Sequence, residues 1–207
     1  MYAIKEIYKT IQGEGAQAGR TAVFVRFSGC NLWSGREKHR VSAVCQFCDT
    51  DFVGTNGING GNYSVTQLVE IISEIWGSYP NKLIVFTGGE PMLQLDEPLI
   101  KVCQANGFET AIETNGTIPI DFHIDWICVS PKEGSKLIVK NGNELKVVFP
   151  QQGQNLQALS NLEFDHLFLQ PMDSEDGQNN TDKTIQYCLE NPQWKLSIQQ
   201  HKLIGMA

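Results

Sequence analysis

Three cysteines fall within nineteen residues of one another: Cys30, Cys45 and Cys48. Cys45 and Cys48 form a C-x2-C pair, and fourteen residues separate Cys30 from Cys45. Three thiolates on one loop can hold three irons of a 4Fe–4S cluster and leave the fourth iron without a protein ligand. An iron with an open position can bind a small molecule and pass an electron to it. Structural zinc and structural clusters normally take four protein ligands, so a set of three points to chemistry. A second reading of the same residues is a zinc site completed by His39 or Asp49. His39 lies in the segment between the cysteines, residues 31–44, which also carries Arg36, Lys38 and Arg40. Those cations are odd company for a structural zinc, whereas nearby positive charge lowers thiolate pKa and offsets the charge of a cluster.

The other three cysteines, Cys103, Cys128 and Cys188, sit in apolar patterns and read as buried structural thiols. Six cysteines in 207 residues are too few for a disulfide scaffold. In a reducing compartment, clustered thiols suggest metal or catalysis. A net charge of −7 argues against broad binding to nucleic acid. The first nineteen residues carry Lys5, Glu6 and Lys9 and no long apolar run. No other segment is apolar for long enough to span a membrane, so the expected location is the cytoplasm. The length suits one domain, residues 1–207, with a substantial core.

The elements that must position the cysteines alternate along the chain. Apolar, β-branched runs predict strands over residues 22–28, 82–87, 108–114, 126–130, 145–149, 166–170 and 195–198, with another ahead of them at 3–8. Most are continuous rather than alternating, as in strands covered on both faces. Ser64-Val65-Thr66-Gln67 is a capping-box pattern; after it Leu68, Val69, Ile72, Ile75 and Trp76 recur at helical spacing, and Gly77 ends the run. Further helices are predicted over 96–106, with Pro98 in the first turn, and over 181–190, capped by Asn180. A short one is expected over 155–162. Segments 54–62 and 173–180 are rich in Gly, Asn and Asp and read as loops. Strand–helix alternation implies a parallel sheet with right-handed crossovers. Segments 115–125 and 131–143 are too short or broken for full helices. The expected fold is therefore α/β, a partial and irregular barrel.

In such a barrel the active site lies at the C-terminal ends of the strands. Useful residues follow strand after strand here: Gly29-Cys30, Thr87-Gly88-Gly89-Glu90, Glu113-Thr114-Asn115, Ser130-Pro131-Lys132, Gln170-Pro171-Met172-Asp173 and Gln199-Gln200-His201. Six in step place one polar rim around one mouth. In Thr87-Gly88-Gly89-Glu90-Pro91 the two glycines allow backbone to approach a ligand closely and Pro91 stiffens the exit.

The cysteine triad after the first barrel strand, with Gly-Gly-Glu-Pro after the next, resembles the radical S-adenosylmethionine (SAM) superfamily. The usual spacing there is C-x3-C-x2-C; this chain has C-x14-C-x2-C. A narrower resemblance lies in Thr10-Ile11-Gln12-Gly13-Glu14-Gly15, Gly19-Arg20, Phe24-Val25-Arg26-Phe27-Ser28-Gly29-Cys30-Asn31-Leu32-Trp33 and Cys48-Asp49-Thr50. These segments are similar to the 7-carboxy-7-deazaguanine synthase family, radical SAM enzymes of queuosine and 7-deazapurine biosynthesis.

The resemblance implies a partial, modified (β/α)6-type radical SAM barrel with mostly parallel strands. It implies that Cys30, Cys45 and Cys48 hold a 4Fe–4S cluster and that SAM chelates the fourth iron. Gly88, Gly89 and Glu90 would meet the amino group of SAM. Glu113 would bind its ribose hydroxyls, with Ser130 and Gln170 on the same ligand. The implied substrate is 6-carboxy-5,6,7,8-tetrahydropterin, converted to 7-carboxy-7-deazaguanine with loss of ammonia after a SAM-derived radical removes hydrogen from C6. Gln12, Glu14, Arg26, Thr87 and His201 are the implied substrate contacts, the tail 199–207 reaching back to the site. Thr50 is the implied Mg2+ ligand. A homodimer and an electron donor such as flavodoxin are implied partners.

Physical chemistry stands beside these assignments. Glutamine offers both donor and acceptor, and a carboxylate accepts from ring N–H groups, which suits Gln12 and Glu14 to a pterin edge. Arg26 lies mid-strand between Val25 and Phe27, where an unpaired charge is costly. Either a fork to the substrate carboxylate or an ion pair to Asp or Glu answers that cost. Mg2+ keeps several waters and needs few protein oxygens, so Thr50 can suffice. Two rival functions remain open at this point: a radical SAM activase that installs a glycyl radical on a partner enzyme, and a non-enzymatic zinc-binding module.

Overall fold

A computed structural model describes residues 1–206. The described residues form a nine-stranded open sheet in the order β3-β1-β2-β4-β5-β6-β7-β8-β9. The strands are β1 (Tyr2–Ile11), β2 (Thr21–Phe27), β3 (Gly61–Tyr63), β4 (Leu83–Gly88), β5 (Glu109–Thr114), β6 (Trp126–Val129), β7 (Asn141–Phe149), β8 (Glu163–Pro171) and β9 (Lys195–Leu196). From β2 through β9 every neighbouring pair is parallel. Only β1 runs the other way, antiparallel to both β2 and β3.

Helices cross over where the sequence allows them. α1 (Val65–Trp76) and α2 (Glu97–Ala105) flank β4, α3 (Leu156–Ser160) leads into β8, and α4 (Gly177–Glu190) leads into β9. The capping box of α1 is present, with the Ser64 hydroxyl accepting from Gln67 N and the Gln67 side chain accepting from Ser64 N. Asp96 caps α2 through Leu99 N and also accepts the Tyr2 hydroxyl at 2.6 Å. No helix connects β5 to β6 or β6 to β7 among the described residues. The sheet is therefore covered unevenly and stays open, in keeping with the partial barrel.

Alternation along the parallel strands sends side chains to opposite faces. Val23, Val25 and Phe27 of β2, Ile84 and Phe86 of β4, and Ile112 of β5 pack under α1 and α2. Their sequence neighbours Ala22, Phe24, Leu83, Val85 and Ala111 form a separate cluster on the other face. That second face turns polar toward the C-terminal strand ends. Phe24 gives way to Arg26, Val85 to Thr87, and Ala111 to Glu113. The same residues that close the core at one end thus open a polar floor at the other.

Three readings of the sequence need correction. Residues 61 and 62, read as the end of the loop 54–62, belong to a short edge strand, Gly61–Tyr63, because β1 supplies their backbone partners. α4 begins at Gly177, four residues before the expected start and inside the segment read as loop. Asn180 is not its cap: it is buried within the helix, and its amide donates to Met172 O and Ser174 Oγ, both at 3.0 Å. The expected strand 195–198 is only Lys195–Leu196, after which the chain turns into α5 (Gln200–Ile204). Of the tail 199–207, Ala207 lies outside the described residues.

Candidate active site

At the C-terminal ends of the strands lies a cavity of about 460 Å³. Of the site residues expected from sequence, all but Glu90 line it: Gln12, Glu14, Arg26, Cys30, Cys45, Cys48, Thr50, Thr87, Gly88, Gly89, Glu113, Ser130, Gln170 and His201. Residues as far apart in the chain as Gln12 and His201 share this one space. The rim argued from strand ends holds.

The thiol wall is built by the segment between the cysteines. Val44 N and Cys45 N both donate to Leu32 O, so the two arms of the loop close on each other. A tight helical turn, Glu37–Ser42, carries Arg40 back over the C-x2-C pair. Arg40 Nη1 donates to Gln46 O at 2.9 Å and Cys48 O at 3.1 Å. Its guanidinium lies 4.0 Å above the Trp33 ring, and Nε and Nη2 grip the Glu37 carboxylate. Leu32 N points at Cys30 Sγ, 3.4 Å away. Burial pushes the Cys30 thiol up, and N–H donors from Leu32 and Trp33 work against that rise. The Cys45 thiol donates to Cys48, which raises Cys45 and lowers Cys48 to about 6.

The glycines of the Thr87–Pro91 turn have a packing reason of their own. Gly88 has φ +146°, and a Cβ on Gly89 would strike the Gly29 carbonyl and Cys30 Cβ. The close approach they permit is that of the cysteine loop itself.

Glu90 behaves differently from expectation. It is fully buried behind the cavity. Its carboxylate accepts from Met92 N at 3.0 Å, Thr114 Oγ1 at 2.7 Å and Asn115 N at 2.7 Å. The Asn115 side chain then donates to Asn31 Oδ1 at 2.9 Å, next to Cys30. Three internal donors occupy most of this carboxylate's acceptor capacity, and the side chain does not line the cavity. Glu90 acts as the brace between two strand ends and the cysteine loop.

The opposite wall is acidic and internally paired. Lys146, on β7, places Nζ 2.6 Å from Glu14 Oε2 and 3.1 Å from Glu113 Oε1. Glu113 also accepts from Gln12 Nε2 and Thr87 Oγ1, each at 3.1 Å. Glu14 Oε1 accepts from Gln170 Nε2 at 3.2 Å and Gln199 Nε2 at 3.0 Å. Burial works to raise Glu113, but the Lys146 charge and these donors outweigh it and hold the carboxyl below the usual range. Burial likewise opposes charge on Lys146, and the carboxylates on either side prevail and raise it. Two carboxylates against one ammonium leave this wall with net negative charge and acceptor capacity.

Arg26 settles on the ion pair of the two options open to it. Nε donates to Glu6 Oε1 at 2.8 Å and Nη2 to the Tyr8 hydroxyl at 3.2 Å. Asp51 is engaged by Lys5 Nζ at 2.7 Å. Thr50 is half-buried, and its one hydroxyl contact is a long 3.5 Å to Asp49 Oδ1. The C-terminal segment crosses the mouth: Gln200 N donates to Gly13 O, and a Cβ on Gly13 would collide with His201. Lys202 Nζ pairs with Asp49 and Asp173.

Sequence reasoning missed Lys146 and Lys202, and noted Arg40 only as one of three cations near the thiolates. The signal for Lys146 was present: a lysine inside Leu145-Lys146-Val147 is as anomalous as Arg26 inside its own apolar run. Lys202 carried no comparable signal, because exposed basic residues are ordinary, and nothing told that Arg40 would bond the carbonyls of the C-x2-C turn.

The chain matches the Radical SAM superfamily model over residues 39–143. It is 55% identical over 207 residues to the 7-carboxy-7-deazaguanine synthase of Bordetella pertussis, covering 99% of each chain. It is 54% identical, with the same coverage, to the 7-carboxy-7-deazaguanine synthase of Burkholderia multivorans. The crystal structure of QueE from Escherichia coli superposes with a TM-score of 0.75 at 27% identity, covering 97% of this chain and 94% of that one. The chain belongs to the 7-carboxy-7-deazaguanine synthase family. As a radical SAM protein of this family it takes SAM and a 4Fe–4S cluster.

The thiol wall fits that cluster. Three cysteines line one cavity, an N–H is aimed at one sulfur, and two thiols are close enough to share a proton. Among the described residues no three His, Cys, Asp or Glu side chains close on a single-ion position. A cubane spreads its thiolates wider than one ion does. His39, the fourth ligand of the zinc reading, is exposed and its Nδ1 bonds the Ser34 hydroxyl at 2.8 Å. No helix of the described residues is long and apolar enough to cross a membrane.

Proposed function

We propose that this chain is a radical SAM lyase that contracts the ring of 6-carboxy-5,6,7,8-tetrahydropterin to 7-carboxy-7-deazaguanine with loss of ammonia. Full-length likeness to synthases of that name supports the reaction. The observation that carries it is the pairing of two walls in one cavity, three thiols facing a set of hydrogen-bond acceptors. The bound cluster and SAM supply one-electron chemistry and a carbon-centred radical able to remove hydrogen from C6 of the pterin.

The work of this chain's residues is binding, orientation and exclusion of water. Cys30, Cys45 and Cys48 ligate the cluster in this reading, and Glu90 with Arg40 fixes their loop. Gly88 and Gly89 offer backbone to SAM, Glu113 accepts its ribose hydroxyls, and Ser130 and Gln170 lie on the same ligand. Gln12 and Glu14 accept and donate along the pterin edge, with Thr87 and His201 beside them. Arg26 Nη1 makes no hydrogen bond among the described residues, so an ion-paired guanidinium can still present one N–H edge to a substrate carboxylate. Thr50, a half-buried hydroxyl lining the cavity beside the thiols, is the proposed Mg2+ ligand, the ion taking its other oxygens from water and substrate. The described part of the tail, residues 199–206, closes the mouth over residues 1–198 of the same radical SAM domain. A homodimer, a flavodoxin-type electron donor and a cytoplasmic location complete the reading.

The activase alternative is less suited to this site. A partner protein's backbone loop must reach the radical, whereas here α5 crosses the mouth and Lys202 ties it to Asp49 and Asp173. The test is anaerobic reconstitution with iron and sulfide, followed by SAM, reductant and the carboxytetrahydropterin. Product at the mass of 7-carboxy-7-deazaguanine is expected, with deuterium moving from substrate C6 into SAM. An iron-loaded chain that cleaves SAM but leaves the pterin untouched rejects the substrate assignment.

A further inference from the structure

Lys146 is the one cation on the acidic wall, and its side chain is only 7% exposed. It bridges two carboxylates that arrive from separate parts of the fold, Glu14 from the turn after β1 at 2.6 Å and Glu113 from β5 at 3.1 Å. Taken alone, Glu113 in that environment would be pushed toward its protonated form, because burial disfavours the charged form and the Lys146 charge is the largest effect opposing it. A protonated carboxyl has one O–H to donate and one oxygen fewer to accept with, so it is a poorer partner for ligand hydroxyls and N–H groups.

We propose that Lys146 is a positioning residue that keeps Glu113 ionised and holds both Glu113 and Glu14 aimed into the cavity, so that one side chain sets the affinity of two subsites. This rests on the reading above, in which Glu113 meets SAM and Glu14 meets the pterin. The other titratable groups around Glu113 cannot replace it. Tyr8 and Cys128 are neutral at working pH, and Glu144 adds like charge. Gln12 and Thr87 donate hydrogen bonds but bring no charge.

The experiment is titration calorimetry on the cluster-loaded chain without reductant, where ligands bind and do not turn over. SAM and the carboxytetrahydropterin are each titrated at pH 6, 7 and 8. Wild-type affinity for SAM is expected to stay within about 2-fold across that range, since a paired carboxylate titrates far below it. Lys146→Gln is expected to weaken both ligands at pH 6 by about 10-fold or more and to recover SAM affinity as pH rises, because Glu113 then carries a proton that must leave. Lys146→Arg is expected to restore the flat profile. Equal affinity in wild type and Lys146→Gln, or a loss independent of pH, overturns the proposal. Should Lys146→Gln fail to fold, the double variant Glu14→Gln/Lys146→Gln keeps the wall's net charge and carries the same SAM measurement, with the same two outcomes. Glu113→Gln separates the layers: if SAM affinity is unchanged there, the SAM assignment of Glu113 falls and this proposal with it. If Glu113→Gln weakens SAM and Lys146→Gln does not, only the role of Lys146 falls.

Discussion

The two walls of the cavity are held by opposite means. Arg40, which ties down the C-x2-C turn, finds its partners three, six and eight residues away. Lys146, which ties the acidic wall, reaches across 132 residues to Glu14 and 33 to Glu113. Glu37, the partner of Arg40, is 77% exposed, whereas Glu14 is 14% exposed. The C-x2-C arm of the thiol wall is thus tied locally and near the surface, while Cys30 is braced from the sheet through Glu90 and Asn115, and the recognition wall is part of the core. A loop held by short-range contacts can open to admit iron and sulfide while the sheet stays folded. A wall held by long-range buried pairs keeps its shape only as long as the whole domain does.

The comparison breaks most visibly at Lys146. Replacing it with Met leaves two buried carboxylates facing each other without a cation. Removing one partner of a buried ion pair typically costs about 3–5 kcal/mol. For a chain of this size, each kcal/mol is about 2–4 °C in melting midpoint, so a fall of about 6–20 °C is expected in the cluster-free protein. A thermal melt monitored by circular dichroism measures it. A loss of only a degree or two would place this pair with weak surface bridges and remove the contrast between the walls.

Arg40→Ala should do the reverse. Its contacts are exposed and sequence-local, so the melting midpoint of the cluster-free chain is expected to hold within about 2 °C. What should change is the loop. Without the donors to Gln46 O and Cys48 O, a chelator is expected to strip iron from the loaded protein on the order of 10-fold faster, since the C-x2-C turn then opens as a local unfolding event. Protease cleavage within residues 31–44 should rise in parallel. Unchanged iron release with unchanged cleavage would mean the turn is held by something other than Arg40.

This division also explains what the sequence could tell. The cysteine spacing, the Ser64 capping box and the alternation of strands with helices are local patterns, and each appears in the fold where the pattern stands. Strand ends told which side chains would share a rim, because period-2 alternation and a parallel sheet leave little choice. The internal wiring of the rim was not legible. Glu90 stands in a turn that suggests a ligand contact, yet its partners Thr114 and Asn115 come from the next strand, and only the register of β4 against β5 decides that they consume it. Asn180 reads as a cap by type, but the preceding chain packs so that its amide serves Met172 O from inside the helix. Edge strand β3 has a loop's composition and exists because β1 has an open side. For Glu90 and β3 a long-range partner overrode a local preference; for Asn180 the fold of the preceding turn did.

Glu144 sharpens the contrast within the buried wall itself, and its effect should be the smallest of the three. It stands two residues before Lys146 on β7 and is 2% exposed, but makes no salt bridge among the described residues. Oε2 accepts from Ala16 N at 2.9 Å, and Oε1 lies 3.6 Å from Cys128 Sγ. Burial raises its pKa; Lys146 and the Ala16 N–H pull the other way without prevailing, and Glu113 adds to the rise. A carboxyl with a raised pKa in the fold binds more protons folded than unfolded, so its contribution to stability falls as pH climbs from the ordinary Glu value, about 4.3, through the raised one. Glu144→Gln has no proton to lose and escapes that fall, while its Oε1 can still accept from Ala16. Relative to wild type, the variant should therefore gain melting temperature as pH is raised from 4 to 8. A constant difference between the two proteins across that range would mean Glu144 is already compensated by Lys146, and that the ammonium serves three carboxylates rather than two.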